Sequence, residues 1–492
     1  MKSVAIIGAG ITGLTAAFYL KRKGVAVTVF EAANRAGGAI QSRRQNGFLA
    51  EFGPNTILET SPKIPQLVRD LNLEARRIYT QPAAKNRYLV RDKKPVAMPS
   101  SPAGFFTTKL FSVKSKFAIL REPFVPARRD GTDESVAEFV TRRLNREFLD
   151  RAINPLVTGI YAGDPEKLSV RHAFPKLFAL EQKYGSLIRG QIFGAKDRKK
   201  SGEIARNRAK MFSFDEGLQV LTDALAAQIG DALKLNSPVT NLTQTQNGWR
   251  VKTSGGEFEF DAVIYCGTAH KLVELEIDFP LTPTLSPFGG EREKKQSTPA
   301  NLPSPRPSGE KVAEGRMRGV NFSTFSEIRY PPVASVALGF RREDVAHPLD
   351  GFGVLIPKIE NFKILGTIFS SSLFPNRAPE NFVTLTSYVG GERQPELASL
   401  PPDKLVELVC ADLQILLGVK GVPVFQNIVF HPKAIPQYNV GHGKFKALLD
   451  EMEAATRGLF FATNFRNGVS LGDAIVSGHD VAEKILTTDG HG

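Results

Sequence analysis

Cysteine is scarce in this sequence: only Cys266 and Cys410 occur among 492 residues. Two cysteines far apart in apolar surroundings exclude a disulfide framework and a cysteine-based zinc site, so both are expected to be buried thiols. An uninterrupted run of about 18 apolar residues is also missing, which argues against a transmembrane helix. The first twenty residues superficially resemble a secretory signal peptide, but regularly spaced glycines argue against that reading. These absences predict a cytoplasmic protein.

Acidic residues are outnumbered: 50 Asp and Glu stand against 64 Lys and Arg, a net charge of +14. Such a balance favours anionic partners such as a membrane surface, a polycarboxylate substrate or nucleic acid. Much of the excess lies between residues 85 and 210, without the interleaved aromatic residues of a platform for single-stranded nucleic acid. We therefore expect a solvated basic face and no nucleic-acid partner.

The first thirty residues predict a βαβ unit. Apolar patterning indicates a buried strand at residues 3–8, a helix at 12–23 and a second strand at 25–31. Strands alternating with helices in this way are typical of a parallel sheet that binds a nucleotide at its edge.

A glycine motif lies between this strand and helix. Gly8, Gly10 and Gly13 give G-x-G-x-x-G, and Glu31 ends the second strand. The first glycine permits a tight turn, the second lets backbone amides approach a pyrophosphate, and the third lets helix and strand pack closely. Glu31 is predicted to bind a ribose hydroxyl, and an acid at this position disfavours NADP.

Later patterns indicate further elements. Helices are predicted at 134–149 and 217–228, a hairpin followed by a buried strand at 249–268, and a second sheet from residue 333 onward. Residues 280–322 are crowded with Pro, Ser, Gly and charge, which predicts a disordered insertion. A docking tail or polyproline ligand is the functional alternative for that stretch.

Two motifs resemble a known superfamily. EAANRAGGAIQS, which follows the second strand, and the terminal NFRNGVSLGDAIVSG resemble the flavin monoamine oxidase and protoporphyrinogen oxidase superfamily, where E-x-x-x-R-x-G-G shapes the cofactor site. The resemblance implies non-covalent FAD, since neither cysteine lies in the terminal loop. The cofactor residues it implies are Gly8, Gly10, Gly13, Glu31, Arg35, Gly38, Gly53, Val239, Gly468, Val469, Gly472 and Asp473.

Within that superfamily the middle of the chain is similar to the protoporphyrinogen and coproporphyrinogen oxidase family. The stretches that carry the similarity are FGPNTI, GIYAGDPEKLSVRHAFPKLFALEQ, LGTIFSSSLFPNRAP and IPQYNVGH. The resemblance implies oxidation of a porphyrinogen in haem biosynthesis, with three two-electron steps in which FAD accepts hydride and molecular oxygen becomes hydrogen peroxide. No nucleophile or metal is required, and the sequence shows no nucleophile triad or metal-ligand motif.

The same resemblance suggests substrate residues. Arg87 corresponds to a residue that binds a substrate propionate, which a guanidinium suits by bidentate hydrogen bonding. Leu355 and Tyr388 correspond to residues that sandwich the macrocycle, with Gly353 beside them. The backbone carbonyls of Gly159 and Ala162 correspond to acceptors of a pyrrole proton, and Asn55 to a polar residue near the flavin. Three further residues that could suggest acid-base catalysis are expected to be structural: His172, His431 and His442.

The fold class expected is α/β plus α+β, with a discontinuous Rossmann-like FAD domain, a mixed-sheet substrate domain and a helical subdomain that contacts a membrane. The corresponding segments are 1–85, 213–279 and 431–486 for FAD, 86–212 for the helical region, 280–322 for the insertion, 323–430 for the substrate sheet, and 487–492 for a tail. Phenylalanines interleaved with lysines in residues 99–126 suggest peripheral contact with the cytoplasmic face of a membrane.

Several alternatives stay open at this stage. The substrate is protoporphyrinogen IX or coproporphyrinogen III, and a homodimer and product transfer to a ferrochelatase are open as well. A flavin amine oxidase or a carotenoid-type desaturase is the nearest enzymatic rival. A flavin-binding structural or regulatory protein, in which the insertion has disabled catalysis, is the rival from another class, and it would bind FAD without oxidising a porphyrinogen. A basic nucleic-acid binder is the remaining alternative, and a steep salt dependence of DNA affinity would identify it.

Overall fold

A computed structural model describes residues 1–194, 209–279 and 322–488. In chain order its strands are β1 Ser3–Ile7, β2 Ala26–Phe30, β3 Ser42–Gln45, β4 Phe48–Glu51, β5 Ile57–Leu58, β6 Arg77–Tyr79, β7 Asn86–Arg91, β8 Lys94–Ala97, β9 Met211–Phe214, β10 Leu233–Lys234, β11 Val239–Gln244, β12 Trp249–Thr253, β13 Gly256–Phe260, β14 Ala262–Tyr265, β15 Glu276–Asp278, β16 Val333–Arg341, β17 Gly351–Leu355, β18 Ile364–Phe369, β19 Phe382–Gly390, β20 Phe425–His431 and β21 Leu459–Phe461. The α-helices are α1 Ile11–Arg22, α2 Lys63–Asp70, α3 Pro102–Thr107, α4 Val113–Arg121, α5 Val136–Arg143, α6 Arg146–Phe148, α7 Asn154–Tyr161, α8 Val170–Ala173, α9 Pro175–Tyr184, α10 Leu187–Phe193, α11 Gln219–Ile229, α12 Ala269–Leu272, α13 Ser370–Leu373, α14 Pro402–Leu417, α15 Gly443–Ala455 and α16 Leu471–Thr488.

Five parallel strands form one sheet, in the order β10-β2-β1-β14-β21. The predicted βαβ unit is confirmed, because β1 pairs in parallel with β2 and α1 connects them. The last helix, α16, packs on α1 so closely that a Cβ added to Gly478 would lie 2.4 Å from the Thr12 carbonyl oxygen. The two ends of the chain thus meet on one sheet.

A mixed sheet of seven strands has the order β20-β16-β19-β18-β17-β7-β8. One of its faces is buried under α14, where Val336 and Leu338 share an apolar cluster with Val409 and Leu413. Because side chains alternate along a strand, the intervening residues point to the other face. That second face is where the predicted substrate residues lie.

The smaller sheets support these two. The predicted hairpin at 249–268 is confirmed: β12 and β13 pair antiparallel in a four-stranded sheet, and β14 joins the parallel sheet. β5, β9 and β6 form a three-stranded sheet, and β3 pairs with β4. Within the described residues, no helix has the length and hydropathy to cross a membrane.

The predicted single helix at 134–149 is wrong. The segment is broken after α5, because Asn145 is extended (φ −175°) and its side chain accepts a hydrogen bond from the Phe148 amide at 3.0 Å. An Asn side chain that bonds to nearby backbone competes with helix continuation. The other predicted helix begins at Gln219 rather than at Gly217, whose φ of +89° lies outside the helical region.

Two predicted segments fall largely outside the described residues. Of the insertion predicted at 280–322 only Phe322 is described, and it begins a short 3-10 helix, Phe322–Glu327. The tail predicted from residue 487 is described only as far as Thr488, which still belongs to α16.

Candidate functional site

The first glycine loop leaves an open space at the N-terminus of α1. Gly8 has φ +104°, and a Cβ on Gly13 would lie 2.0 Å from the Gly8 carbonyl oxygen, so neither position tolerates a side chain. A Cβ on Gly10, in contrast, would meet no atom within 4 Å. The first turn of α1 has no side-chain cap and no acidic residue. Uncapped amides at the positive end of a helix suit a phosphate group.

Glu31 lies just beyond β2, and its carboxylate is held by backbone. Its Oε2 accepts a hydrogen bond from the Ala9 amide at 2.7 Å, and its Oε1 accepts one from the Ala33 amide at 2.9 Å. A carboxylate has about four lone-pair sites, so acceptor capacity is left for the hydroxyls of a ribose. The Glu31 carbonyl also accepts from the Ser237 amide at 2.8 Å, which brings the start of β11, at Val239, to this corner.

Arg35 fixes the second glycine loop rather than reaching outward. Its Nη2 donates to the Gly38 carbonyl at 2.6 Å, and its Nη1 donates to two further backbone carbonyls. The Gly37 amide donates to the Ala9 carbonyl at 2.8 Å, and a Cβ on Gly38 would lie 3.3 Å from the Gly10 Cα. Arg35 therefore fixes the second glycine loop, which packs against the first through Gly37 and Gly38.

The terminal motif forms the N-terminal cap of α16. The Ser470 hydroxyl donates to an Asp473 carboxylate oxygen at 2.6 Å and accepts from the Asp473 amide at 3.1 Å. Gly468 has φ +117°, and a Cβ there would lie 2.6 Å from that carboxylate oxygen. Gly472 lies against β5, since its Cβ would be 3.2 Å from the Leu58 carbonyl oxygen. Val469, between these glycines, is partly buried.

The glycine loop after β1 and the residues after β21 lie at the same edge of the parallel sheet, because carboxyl ends of parallel strands share an edge. Here the Thr463 hydroxyl and the Asn464 side-chain oxygen are buried without a hydrogen-bond partner in the described part of the chain. Buried polar atoms are normally satisfied, so such orphans indicate a missing ligand. Together with the open space at Gly10 and the Glu31 carboxylate, they fit a dinucleotide flavin.

Thr463 and Asn464 were not predicted as site residues. The signal that could have identified them is their position: polar residues directly follow the buried strand β21 and precede the terminal glycine loop. Gly53, which was predicted, lies against the second glycine loop, since its Cβ would be 2.7 Å from the Ala39 carbonyl oxygen.

The predicted substrate residues share one face of the seven-stranded sheet. One row across the sheet pairs Leu89 with Leu355, Leu355 with Gly366, Gly366 with Tyr388 and Tyr388 with Ser335. Arg87 and Gly353 are two residues before Leu89 and Leu355 on the same strands, so alternation along a strand places them on the same face. All four predicted residues are thus on the face opposite α14.

Arg87 is exposed at the edge of this face. Its guanidinium lies 6.0 Å from the centre of the Phe352 ring, and no acidic side chain in the described part of the chain pairs with it. An unpaired guanidinium beside an aromatic ring suits a carboxylate on an apolar ligand.

Tyr388 connects this face to the flavin loops. Its hydroxyl accepts a hydrogen bond from Asn55 Nδ2 at 2.6 Å, and Asn55 also donates to the Gly53 carbonyl at 3.2 Å. Burial raises the pKa of the Tyr388 hydroxyl well above its usual range, so it stays neutral. Two residues singled out separately in the sequence are thus in direct contact.

The GIYAG turn lies opposite Leu355. Gly159 is exposed near the end of α7, and a Cβ there would lie 2.7 Å from Leu355 Cδ2. Ala162 caps α7 in the left-handed region, with φ +49°, and its carbonyl accepts from the Glu392 amide at 2.7 Å. One lone pair of the Ala162 carbonyl is therefore in use, and the Thr158 carbonyl accepts from the Ala162 amide at 2.8 Å. Carbonyls in the last turn of a helix, where Gly159 lies, commonly have no helical partner.

The three histidines that could suggest acid-base catalysis have structural surroundings. His442 is buried, which lowers its pKa to about 3, and its Nε2 lies 2.7 Å from the Phe465 carbonyl oxygen. Burial also lowers the pKa of His172. His431 Nε2 lies 2.9 Å from the Phe52 carbonyl oxygen. At neutral pH His442 is therefore neutral, and its Nε2–H donates to that carbonyl instead of taking part in proton transfer.

One group in the described residues could geometrically hold a metal ion: His479, Asp480 and Glu483 on α16. The Nζ of Lys63 lies 2.6 Å from a carboxylate oxygen of both Asp480 and Glu483. The lysine already supplies the positive charge that a cation would bring. This cluster lies in the middle of α16, away from the capped N-terminus of that helix.

Known proteins are similar to this sequence over nearly its full length. Residues 11–308 and 317–486 match the family described as flavin containing amine oxidoreductase. Protoporphyrinogen oxidase 2 of Arabidopsis thaliana is 35% identical, over 99% of this chain and 94% of that protein. Coproporphyrinogen III oxidase of Bacillus subtilis is 29% identical, over 99% of this chain and 98% of that protein.

Solved structures share the fold. A protein of Exiguobacterium sp. 255-15 superposes with a TM-score of 0.76 at 22% identity, over 99% of both chains. Cyclohexylamine oxidase from Brevibacterium oxydans IH-35A gives a TM-score of 0.65 at 14% identity, again over 99% of both chains. The family match and the full-length relatives confirm the predicted flavin cofactor and an oxidoreductase, and they show that the chain belongs to the flavin containing amine oxidoreductase family, in the group of its protoporphyrinogen and coproporphyrinogen III oxidases.

Proposed function

We propose that this protein oxidises protoporphyrinogen IX to protoporphyrin IX. The observation that carries the proposal is the sheet face on which Arg87, Leu355 and Tyr388 lie together, facing the GIYAG turn on one side and joined through Asn55 to the flavin loops on the other. A relative with 35% identity over 99% of this chain bears the name of that activity.

The reaction removes six electrons and six protons from the macrocycle in three two-electron steps. Each step reduces one molecule of oxygen to hydrogen peroxide, so three molecules of each balance the reaction. Bound FAD supplies the acceptor for the electron pair of every step and returns it to oxygen. The chain itself has to orient the substrate, exclude water and accept the pyrrole protons.

Each residue of the face has a proposed part in this. The Arg87 guanidinium binds a propionate, since it is exposed and has no acidic partner among the described residues. Leu355, Gly353 and Tyr388 together form the sheet side of the substrate cavity. The Gly159 carbonyl accepts a pyrrole proton for transfer to solvent, with Ala162 a weaker acceptor because its carbonyl already accepts from Glu392.

Coproporphyrinogen III is the alternative substrate, because a relative with 29% identity over 99% of this chain is a coproporphyrinogen III oxidase. It carries four propionates where protoporphyrinogen IX carries two. The chemistry at the flavin is the same for both. The difference lies in how many cationic side chains the cavity offers.

Aerobic turnover tests the proposal. Purified protein loaded with FAD is given either porphyrinogen, and porphyrin fluorescence and hydrogen peroxide are followed together. We expect faster oxidation of protoporphyrinogen IX and one peroxide per electron pair. Arg87→Ala should raise KM for the preferred substrate, whereas Arg250→Ala, on the distant strand β12, should not. Bound FAD with oxidation of neither porphyrinogen would refute the proposal.

We also propose that the helical region contacts a membrane peripherally, on its cytoplasmic face. Four apolar side chains at helical spacing are exposed on and just after α4: Val113, Phe117, Leu120 and Phe124, with Phe124 79% exposed. Lys109, Lys114 and Arg121 flank them. Exposed apolar side chains with flanking cations are typical of a surface that lies on an anionic bilayer.

Membrane contact would keep the apolar product near a following enzyme such as a ferrochelatase. Flotation with vesicles of neutral and anionic lipid tests this contact. We expect binding to anionic vesicles, lost in a Phe117→Ser/Phe124→Ser double variant and retained in Val422→Ser, a control at an equally exposed apolar residue elsewhere. Equal flotation of all three proteins would refute it.

A further inference from the structure

Two adjacent residues, Gln437 and Tyr438, are buried between the two halves of the proposed site. Their side chains are 2% and 1% exposed. They lie in the loop before α15, and neither was predicted as a site residue. Adjacent side chains in an extended segment point in opposite directions, so the pair can contact two different elements at once.

Tyr438 holds the flavin loop. Its hydroxyl donates to the Asn464 carbonyl at 2.5 Å and accepts from the Gly468 amide at 3.0 Å. These two groups flank the segment that joins β21 to the cap of α16. The phenol ring stacks on His442, with ring centres 4.2 Å apart and planes 17° apart. A single hydroxyl therefore closes the loop on which Val469 is placed.

Gln437 holds the GIYAG turn. Its Nε2 donates to the Tyr161 carbonyl at 2.8 Å and to the Ile435 carbonyl at 3.1 Å. Within the described residues its Oε1 is buried without a donor, and a Cβ on Gly163 would lie 2.4 Å from that oxygen. The amide thus packs directly on the turn and leaves no room for a larger residue there.

The backbone of the pair is fixed as well. The Gln437 amide donates to the Arg329 carbonyl at 2.9 Å, and the Tyr438 carbonyl accepts from the Ser169 amide at 2.8 Å. Neither side chain can shift without breaking buried or partly buried hydrogen bonds. The loop therefore works as a rigid connection between the turn and the flavin loop.

We propose that Gln437 and Tyr438 are positioning residues that set the distance between the GIYAG turn and the flavin loop, Tyr438 acting on flavin binding and Gln437 on substrate oxidation. This proposal deepens the proposed function, and the role of Gln437 in substrate oxidation rests on that function. It predicts that the two neighbours affect different parameters, although they are joined by one peptide bond.

Conservative variants separate the two roles. Tyr438→Phe removes only the hydroxyl and should raise the Kd for FAD about tenfold, a typical effect of leaving a partly buried amide without its acceptor. Gln437→Met keeps the side-chain length and should leave that Kd within about twofold, while kcat at saturating FAD falls about tenfold. Two control variants lie elsewhere in the chain. Tyr19→Phe removes a hydroxyl that donates to Asp70, and Gln228→Met changes a glutamine on α11.

Hydrogen exchange provides a readout that needs no substrate. In Tyr438→Phe the amides of residues 464–470 should exchange faster, and in Gln437→Met those of residues 159–165 should do so. In wild-type apoprotein the Gly468 amide should already be protected, because its acceptor belongs to the protein. This last measurement holds even if a variant does not fold.

Several results would overturn the proposal. An unprotected Gly468 amide in the wild-type apoprotein would refute the role proposed for Tyr438. Unchanged exchange at residues 159–165 in Gln437→Met would refute the role proposed for Gln437. Equal changes in Kd and kcat for both variants would show general loosening instead of positioning. Absence of porphyrinogen turnover in the wild type would refute the proposed function alone, since FAD binding and exchange are measured without substrate.

Discussion

Replacing Glu31 with glutamine should weaken FAD binding substantially. The carboxylate accepts two backbone amides, from Ala9 at 2.7 Å and from Ala33 at 2.9 Å. Glutamine keeps one oxygen and presents an NH₂ group where the other stood, so one amide loses its acceptor and meets a donor. The charge that strengthens both bonds and favours a ribose hydroxyl is lost as well.

The magnitude follows from these contacts. Leaving one partly buried donor unsatisfied costs about 1–3 kcal/mol, and part of that cost falls on the glycine loop before FAD binds. A net loss of about 1.5–3 kcal/mol in binding corresponds to an increase in Kd of about 10–150-fold. Thermal stability of the apoprotein should fall only slightly.

Titration of apoprotein with FAD, followed by quenching of flavin fluorescence, measures this Kd. Glu407→Gln on α14 is a matched control, because that exposed carboxylate pairs with Lys404 and with no other charged group in the described part of the chain. A Kd for Glu31→Gln equal to that of wild type would refute the placement of the ribose at Glu31. A weaker Kd in the control as well would show a non-specific loss of charge.

Three further changes should have separable effects. Gly159→Ala places a Cβ 2.7 Å from Leu355 Cδ2. In porphyrin fluorescence assays kcat/KM should therefore fall about 10–200-fold, while the affinity for FAD stays unchanged. Wild-type kinetics of this variant would argue against a substrate surface at Gly159. Arg377→Met leaves the buried Glu51 carboxylate without the guanidinium 3.0 Å away, and urea unfolding at pH 7 should show a loss of about 3–5 kcal/mol. Burial already raises the pKa of Glu51, and losing Arg377 raises it further, so this loss should shrink as the pH falls and the carboxyl is protonated; a loss independent of pH would contradict the pairing. Burial lowers the pKa of His442 to about 3, against about 6.5 in the unfolded chain. As the pH falls from about 6 to 4, the unfolding free energy of the wild type should therefore decrease by about 1.4 kcal/mol per pH unit more than that of His442→Gln. Parallel pH curves for the two proteins would refute this.

The sequence alone determined the cofactor half of the protein well. The spacing of Gly8, Gly10 and Gly13 between a buried strand and a helix is a local pattern, and local backbone geometry allows few alternatives there. The same holds for the terminal loop, where Gly468 needs a positive φ that the sequence marks with glycine. The helix predicted across Asn145 failed because side-chain capping, which depends on one hydrogen bond, overrode the helical pattern.

Only the tertiary structure decided which distant residues meet. Asn55 and Tyr388 are 333 positions apart, and their hydrogen bond depends on the register of β18 and β19 and on the path of the second glycine loop. Gln437 and Tyr438 lie in the IPQYNVGH stretch that carries the family resemblance, but that stretch by itself assigned them no role; their importance comes from the two elements they contact. Periodicity assigns a residue to a face of its own strand or helix, whereas the partner across that face is fixed by long-range packing, which a local pattern does not contain.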